Sequence, residues 1–331
     1  MRENGQVVLD ELSNVEFNPA SVSKLVTAYG AIKTFGIEHH FRTSLLTDGQ
    51  LDSETGVLNG NLYVRGADPD FRRQDALSLN QALYDAGVRK IKGQVIVNNQ
   101  FSYGTSQDPA WSGKYLTRVW SVIHKIPVTG GVAVGEVPTV ATELGSHDSE
   151  TLRDTLKEML CYSQNNVAEQ IGRVSGGVSK LAEIVGKEAN IDPSSIKLAT
   201  ASGLGKGRIK PKDMMTILRS LRGELQSYGL DLQDICPVAG VDRGTLDERF
   251  TGSAEKGSVV GKTGSLPGTD GGTSTLVGMF RSQKEDFYFV IFCWKGNVYN
   301  FRHQQDELIR KYQAANGGPK PFIYNLAQSS L

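Results

Sequence analysis

The sequence predicts an α+β protein in which helices flank an antiparallel sheet, with a smaller domain inserted into the larger one. Three observations predict it. GSVVGKTG, GGTSTLVGMF and DFYFVIFCWKG are β-rich runs separated by short loops, the pattern of an antiparallel meander. Strongly periodic helical segments lie on either side of long stretches of the chain. Between them, residues 41–145 change to short strands, one helix and turn-rich connections, which predicts an inserted domain and leaves 1–40 and 146–331 as the main one.

Taken in order, VVLDEL predicts one strand near the start. FNPASVSKLVTAYGAIKTFG follows as a helix, with Asn18 as N-cap and Pro19 at the first helical position, where its missing N–H costs nothing. Val22, Leu25, Val26, Tyr29 and Ile32 recur at helical spacing and form its buried stripe. Residues 41–66 alternate apolar and polar around TDGQ, ETG and NGN, with NLYVRG the clearest strand. DALSLNQALYDAGV is an amphipathic helix that Ser78 is expected to cap, and KIKGQVIVNN is a strand. Residues 104–147 lack periodicity and predict irregular connections. SETLRDTLKEML predicts a helix capped by Asp148 with Leu152, Leu156 and Met159 on one face, and NVAEQIGRV a second directly after it. Helices at 179–188 and 211–223 are separated by TASGLGKGRIKP, and NFRHQQDELIRKYQ predicts a closing helix.

Composition narrows the function. Acidic and basic residues balance at 36 each without a basic block, which points away from nucleic acid and anionic membrane surfaces. No apolar run approaches the ~20 residues of a membrane span. The start, MRENGQVVLDEL, lacks the charged-then-apolar order of a signal peptide. Cys161, Cys236 and Cys293 are widely spaced and odd in number, so they make neither a disulfide framework nor a zinc pattern, and they read as small core hydrophobes. The histidines show no metal-ligand spacing, and no G-x-S-x-G elbow supports a Ser-His-Asp triad. No metal and no cofactor is expected.

S-x-x-K occurs as Ser21/Lys24, Ser194/Lys197 and Ser253/Lys256. Ser194 follows an Asp-Pro turn signal and Ser253 sits in a polar, glycine-flanked run, so both predict solvated loops. Only the first copy opens a strongly patterned helix. Ser21 and Lys24, three apart, share a face bordering the apolar stripe. A lysine held there loses hydration, which disfavours its charged form and moves it toward use as a general base. The helix N-terminus favours an anion forming near Ser21. Ser-x-Asn occurs at Ser78/Asn80, the expected helix cap, and at Ser163/Asn165, at a joint between two helices where side chains can enter a cleft. Lys262-Thr263-Gly264 lies on the first strand of the meander.

S-x-x-K, S-x-N and K-T-G in this order characterise the penicillin-recognising serine acyltransferases. The chain resembles the class C low-molecular-mass penicillin-binding proteins, D-alanyl-D-alanine carboxypeptidases/endopeptidases of the bacterial cell wall. GNLYVRGADPDF, GVRKIKGQVIVNNQF, PVAGVDRGTLDERF and KTGSLPG extend the likeness over most of residues 17–300. The resemblance implies a transpeptidase-like (β-lactamase-like) catalytic domain with Ser21 as nucleophile, Lys24 as base and Ser163 as proton relay to the leaving nitrogen. It implies that Asn165, Lys262, Thr263, Gly264 and Ser265 contact substrate, and that the N–H groups of Ser21 and Ser265 form the oxyanion hole. Peptidoglycan stem peptides as substrate, β-lactams as covalent inhibitors and an extracytoplasmic location follow from the same resemblance. Two positions depart from the family pattern: Gln164 stands where Asp is common, and Thr200-Ala201-Ser202-Gly203-Leu204-Gly205 replaces Asp-Gly-Ser-Gly-Leu-Ser. Two rivals share the cleft. A class A β-lactamase would need a Glu-x-x-Leu-Asn loop, which is absent, and a decayed wall-binding protein would be expected to lose a motif residue, whereas all are present.

Overall fold

The computed structural model describes residues 1–322. In chain order it contains a 3₁₀ turn at Ala20–Ser23, α1 (Lys24–Phe35), β1 (His40–Thr47), β2 (Gln50–Asp52), β3 (Val57–Asn59), β4 (Leu62–Arg65), α2 (Arg73–Asp85), β5 (Lys90–Ile91), β6 (Val95–Val97), α3 (Pro109–Val122), β7 (Val132–Val134), β8 (Thr142–Thr151), α4 (Leu152–Tyr162), α5 (Asn165–Val174), α6 (Val178–Glu188), α7 (Pro211–Ser227), β9 (Val259–Leu266), β10 (Thr273–Arg281), β11 (Asp286–Trp294) and α8 (Val298–Ala315). The fold is α+β. It divides into two compact units, Met1–Gly36 with Leu156 onward, and Ile37–Thr155. The sequence-based cuts at 40/41 and 145/146 fall inside paired strands, since β1 starts at His40 and pairs along β8 as far as Thr151. The ladder carries the second unit a few residues further in both directions.

In the first unit β9, β10 and β11 form an antiparallel sheet with β10 in the centre. Every residue of β10 except Arg281 is buried, as expected for a strand covered on both faces. Leu276, Phe280, Phe287 and Phe289 make an apolar core with Phe250 and Ile309, the last from α8. The register sets Lys262 opposite Val277, Gly264 opposite Thr275 and Ser265 opposite Ser274. β9 is the edge strand; residues 237–239 pair with its first half, Ala239 N–H donating to Val259 O at 2.8 Å and Gly261 N–H to Pro237 O at 3.1 Å, and Thr263, Gly264 and Ser265 line the cavity beyond them. VVLDEL does not form the predicted strand. Instead Met1–Glu3 adds along β11, with Tyr288 N–H donating to Met1 O at 2.8 Å and Glu3 N–H to Asp286 O at 3.0 Å.

The stripe predicted for α1 is buried on every side: Lys24 through Ile32 are all inaccessible. Small residues permit this. A Cβ on Gly30 would stand 2.4 Å from Leu181 Cδ2 of α6, so a larger residue there would require the Leu181 side chain to shift. Lys157 of α4 donates to Gln233 O (2.9 Å), Cys236 O (2.8 Å) and Asp242 Oδ2 (2.6 Å), and Asp242 also accepts Val238 N–H at 2.8 Å. This pins the loop 237–250 to α4. A Cβ on Gly244 would meet Cys161 O at 2.2 Å, and Thr245 N–H donates to that carbonyl at 2.9 Å.

The second unit has a five-stranded sheet in the order β7-β6-β4-β1-β8 and a small sheet β2-β3-β5. Three sequence expectations fail here. Residues 109–122, expected to be irregular, form α3, started by the Asp108 side chain accepting Ala110 N–H at 2.9 Å and by Pro109. Its buried set, Ser112, Gly113, Leu116 and Trp120, has helical spacing but is half small residues, which hides the period. Ser78 is not a cap: it lies inside α2, back-bonded to Gln74 O at 3.2 Å. Asp148 belongs to β8, and Thr151 Oγ1, accepting Asp154 N–H at 3.1 Å, supports the first turn of α4 instead.

The Lys157–Asp242 pair is about one-tenth exposed on each side. Removing one partner of such a pair strands the other charge, at roughly 3–5 kcal/mol. Lys157→Met is therefore expected to lower the stability of the first unit by about 3 kcal/mol in denaturant unfolding, and a loss below about 1 kcal/mol would place the pair among solvent-screened surface bridges.

Candidate active site

The approach to Ser21 is held by backbone contacts. Asn18 Oδ1 accepts Ala20 N–H at 3.0 Å and its Nδ2 donates to Gly205 O at 2.9 Å. Thr275 Oγ1 of β10 donates to Pro19 O at 2.9 Å. Ala20 then adopts φ 50°, a left-handed conformation that costs a non-glycine residue of order 1–3 kcal/mol and persists only where the surroundings enforce it. Gly203 lies against it, and a Cβ there would stand 1.9 Å from Ala20 O. The predicted cap is thus displaced: Asn18 secures Ala20 N–H from outside, Ser21 sits in the 3₁₀ turn, and the α-helix begins at Lys24.

Lys24 is fully buried, and its Nζ donates to Ser21 Oγ (3.2 Å), Asn165 Oδ1 (2.8 Å) and Ser202 O (2.8 Å). Burial lowers its pKa to about 8, while the carboxylate of Glu169 pulls it partly back. Glu169 Oε1 accepts Ser202 N–H at 2.9 Å and its Oε2 accepts Ala201 N–H at 3.3 Å, so it also holds the loop whose carbonyl touches Lys24. Asn165 is the first residue of α5. Ser163, with φ 56°, makes the sharp reversal between α4 and α5. The unusual Gln164 side chain turns to α4, donating to Glu158 Oε1 at 3.0 Å.

Lys262 is also fully buried and donates to Thr263 O at 2.8 Å. Burial, and next the charge of Lys24, push its pKa down to about 7. Lys24 is lowered by its own burial, and Lys262 takes the repulsion. Gly264 is required by contact: a Cβ there would stand 2.2 Å from Thr275 Oγ1 and 2.9 Å from Ser21 N. Strand β9 and the Ser21 turn can therefore meet only through glycine.

Ser21, Ser163, Thr263, Gly264 and Ser265 line one cavity of about 470 Å³, whose other wall includes Thr245, Asp247, Glu248, Arg249 and Arg302. Lys24 and Lys262 reach the same place from the interior, and Asn165 is tied to it through Lys24. All eight predicted residues thus converge. The other S-x-x-K copies do not: Lys197 pairs with Glu16 at 2.7 Å on the surface, and Ser253 and Lys256 are exposed. Sequence reasoning missed Glu169, the Ser202 carbonyl and Arg302. Glu169 lies one helical turn from Asn165, a spacing that was available as a signal; a backbone carbonyl carries none.

A buried lysine against a serine hydroxyl, beside a glycine-containing edge strand, defines an acyl-transferring serine hydrolase of the penicillin-recognising class. The chain belongs to the D-Ala-D-Ala carboxypeptidase 3 (S13) family, whose sequence profile matches residues 2–122 and 113–311, and it is accordingly a serine-type carboxypeptidase of the penicillin-binding-protein class. It is 25% identical over 324 residues to a carboxypeptidase of Mycobacterium tuberculosis, an alignment covering 93% of this chain and 67% of that protein. To the D-alanyl-D-alanine carboxypeptidase DacB of Haemophilus influenzae it is 30% identical over 113 residues, 34% of this chain but only 23% of that one. The fold matches a predatory endopeptidase from Bdellovibrio bacteriovorus, solved with its immunity protein, at a TM-score of 0.81, with 21% identity and 98% and 94% of the two chains covered. No helix among the described residues is long and apolar enough to cross a membrane.

Proposed function

We propose that this chain removes the terminal D-alanine from peptidoglycan stem peptides through an acyl-enzyme on Ser21, and that β-lactams trap it by acylating the same oxygen. The observation that carries the reading is Lys24: its Nζ lies 3.2 Å from Ser21 Oγ with a pKa lowered to about 8, so near neutral pH a useful fraction is unprotonated. Neutral Lys24 accepts the Ser21 proton as Oγ attacks the carbonyl between the two D-alanines. The resulting oxyanion is met by the N–H groups of Ser21 and Ser265, which the close fit at Gly264 supports. The proton passes through Ser163 to the departing nitrogen, the C–N bond breaks, and D-alanine leaves. Water then adds to the ester carbonyl, and its proton returns Ser21 to the hydroxyl form. Thr263 receives the substrate's terminal carboxylate, with Lys262 supplying positive charge beneath it. The same chemistry on a cross-link would be endopeptidase action. Such a substrate lies outside the cytoplasm, where the protein is proposed to act.

The test is intact mass followed over time after addition of a penicillin. A persistent adduct on the wild-type chain, absent in Ser21→Ala together with D-alanine release, is the expected result. Removing the nucleophile should cost on the order of a millionfold in turnover. Rapid loss of the adduct would instead identify a β-lactamase, and no adduct a binding protein.

The pH dependence gives an independent check. Lys24 must be neutral to act, so acylation is expected to rise with pH through a midpoint near 8. Glu169 raises that midpoint by stabilising the charged form, so Glu169→Gln should move it to lower pH. A midpoint unmoved, or moved upward, in the acylation-rate profile would show that Glu169 does not act on the base.

A further inference from the structure

The third motif does not by itself present a cation to the cavity. Lys262 is fully buried and its ammonium is engaged with the Thr263 carbonyl. Arg302, on the second turn of α8, is exposed and lines the same cavity as Ser21. Its Nη2 donates to Ser265 Oγ at 3.1 Å, and its Cζ lies 5.6 Å from the centre of the Tyr299 ring. The nearby basic group, Arg249, is neutralised: its Nε donates to Asp306 Oδ1 at 2.9 Å, and its Nη2 contacts the same oxygen and, at 3.3 Å, both Gln305 Oε1 and Arg302 O. Asp306, one turn along α8, is thereby unavailable to Arg302, which has no carboxylate partner among the described residues. A guanidinium carries five donors in a rigid fork, and Ser265 uses one.

We infer that Arg302 is the specificity residue that binds the free C-terminal carboxylate of the substrate, alongside the hydroxyls of Thr263 and Ser265. Lys262 contributes through its field from the interior, and Arg302 makes the direct contact. The inference rests on the peptidase reading above, and deepens it by assigning a recognition group outside the three motifs.

The test compares kcat/KM for an acyl-D-Ala-D-Ala peptide and for the same peptide ending in a carboxamide. Wild type should prefer the carboxylate. In Arg302→Gln that preference should shrink by roughly tenfold or more, as expected for loss of a charge-assisted hydrogen bond, with the amide affected far less. Arg302→Lys, which keeps the charge but not the fork, should give an intermediate ratio. Arg302 is exposed on a helix, and glutamine is a good helix former, so equal melting temperatures are expected for the variants. A wild-type enzyme that prefers the carboxylate, with Arg302→Gln keeping the full preference, overturns the assignment of Arg302 alone. A wild-type enzyme that cleaves neither peptide overturns the peptidase reading on which it rests.

Discussion

The site depends on one burial: the ammonium of Lys24, taken out of water at the start of α1. Moving a charge into a poorly polarisable interior costs several kcal/mol unless it is partnered. Three acceptors hold it, from Ser21, Asn165 and the Ser202 carbonyl, and Glu169 adds a negative field without a direct bond to it. The compensation is incomplete, which is why its pKa falls to about 8. Full pairing with a carboxylate would have kept the lysine charged and useless as a base. An unpartnered ammonium in the same place would destabilise the unit. The observed arrangement lies between these limits, and its position there sets the pH range of the proposed reaction.

Most of the local peculiarities around Ser21 follow from keeping those partners in place. Gly203 is needed so that the 200–205 loop can press on Ala20 while Ser202 O reaches Lys24. Asn18 bridges the same loop to the turn, and Thr27 Oγ1 donates to Ala201 O at 2.7 Å one residue further. Gly264 and Thr275 bring the sheet against the other side of the turn. The left-handed Ala20 is where these constraints meet. The second lysine then pays the electrostatic cost: Lys262, buried near Lys24, is pushed to about 7, and an arriving carboxylate would favour its charged form.

Much of this was legible in the chain. The meander, α1, α5 and the closing helix follow from periodicity, and the motif residues were all named from order and context. What escaped has a physical reason in each case. α3 buries serine and glycine along with Leu116 and Trp120, so its apolar period is faint. β8 is polar along TELGSHDSET, and its length is set by pairing with β1, a long-range fact that local propensity cannot carry. Ser78 and Asp148 resembled caps because capping residues are also tolerated inside helices and strands. The 200–205 stretch drew notice only as a departure from the family pattern. Its contribution is a backbone carbonyl, to which side-chain identity is nearly indifferent. Arg302 and Arg249 are ordinary surface arginines by sequence, and only the fold shows that one is neutralised and the other left open.

The central claim is that Lys24 is depressed by burial into the range of a general base. The direct measurement is the Nζ chemical shift of Lys24 against pH in protein carrying labelled lysine, assigned through Lys24→Gln. A titration midpoint near 8 is the predicted result. A midpoint at the ordinary lysine value near 10.4 would mean that the ammonium stays charged throughout the working range, and that some other group must take the Ser21 proton.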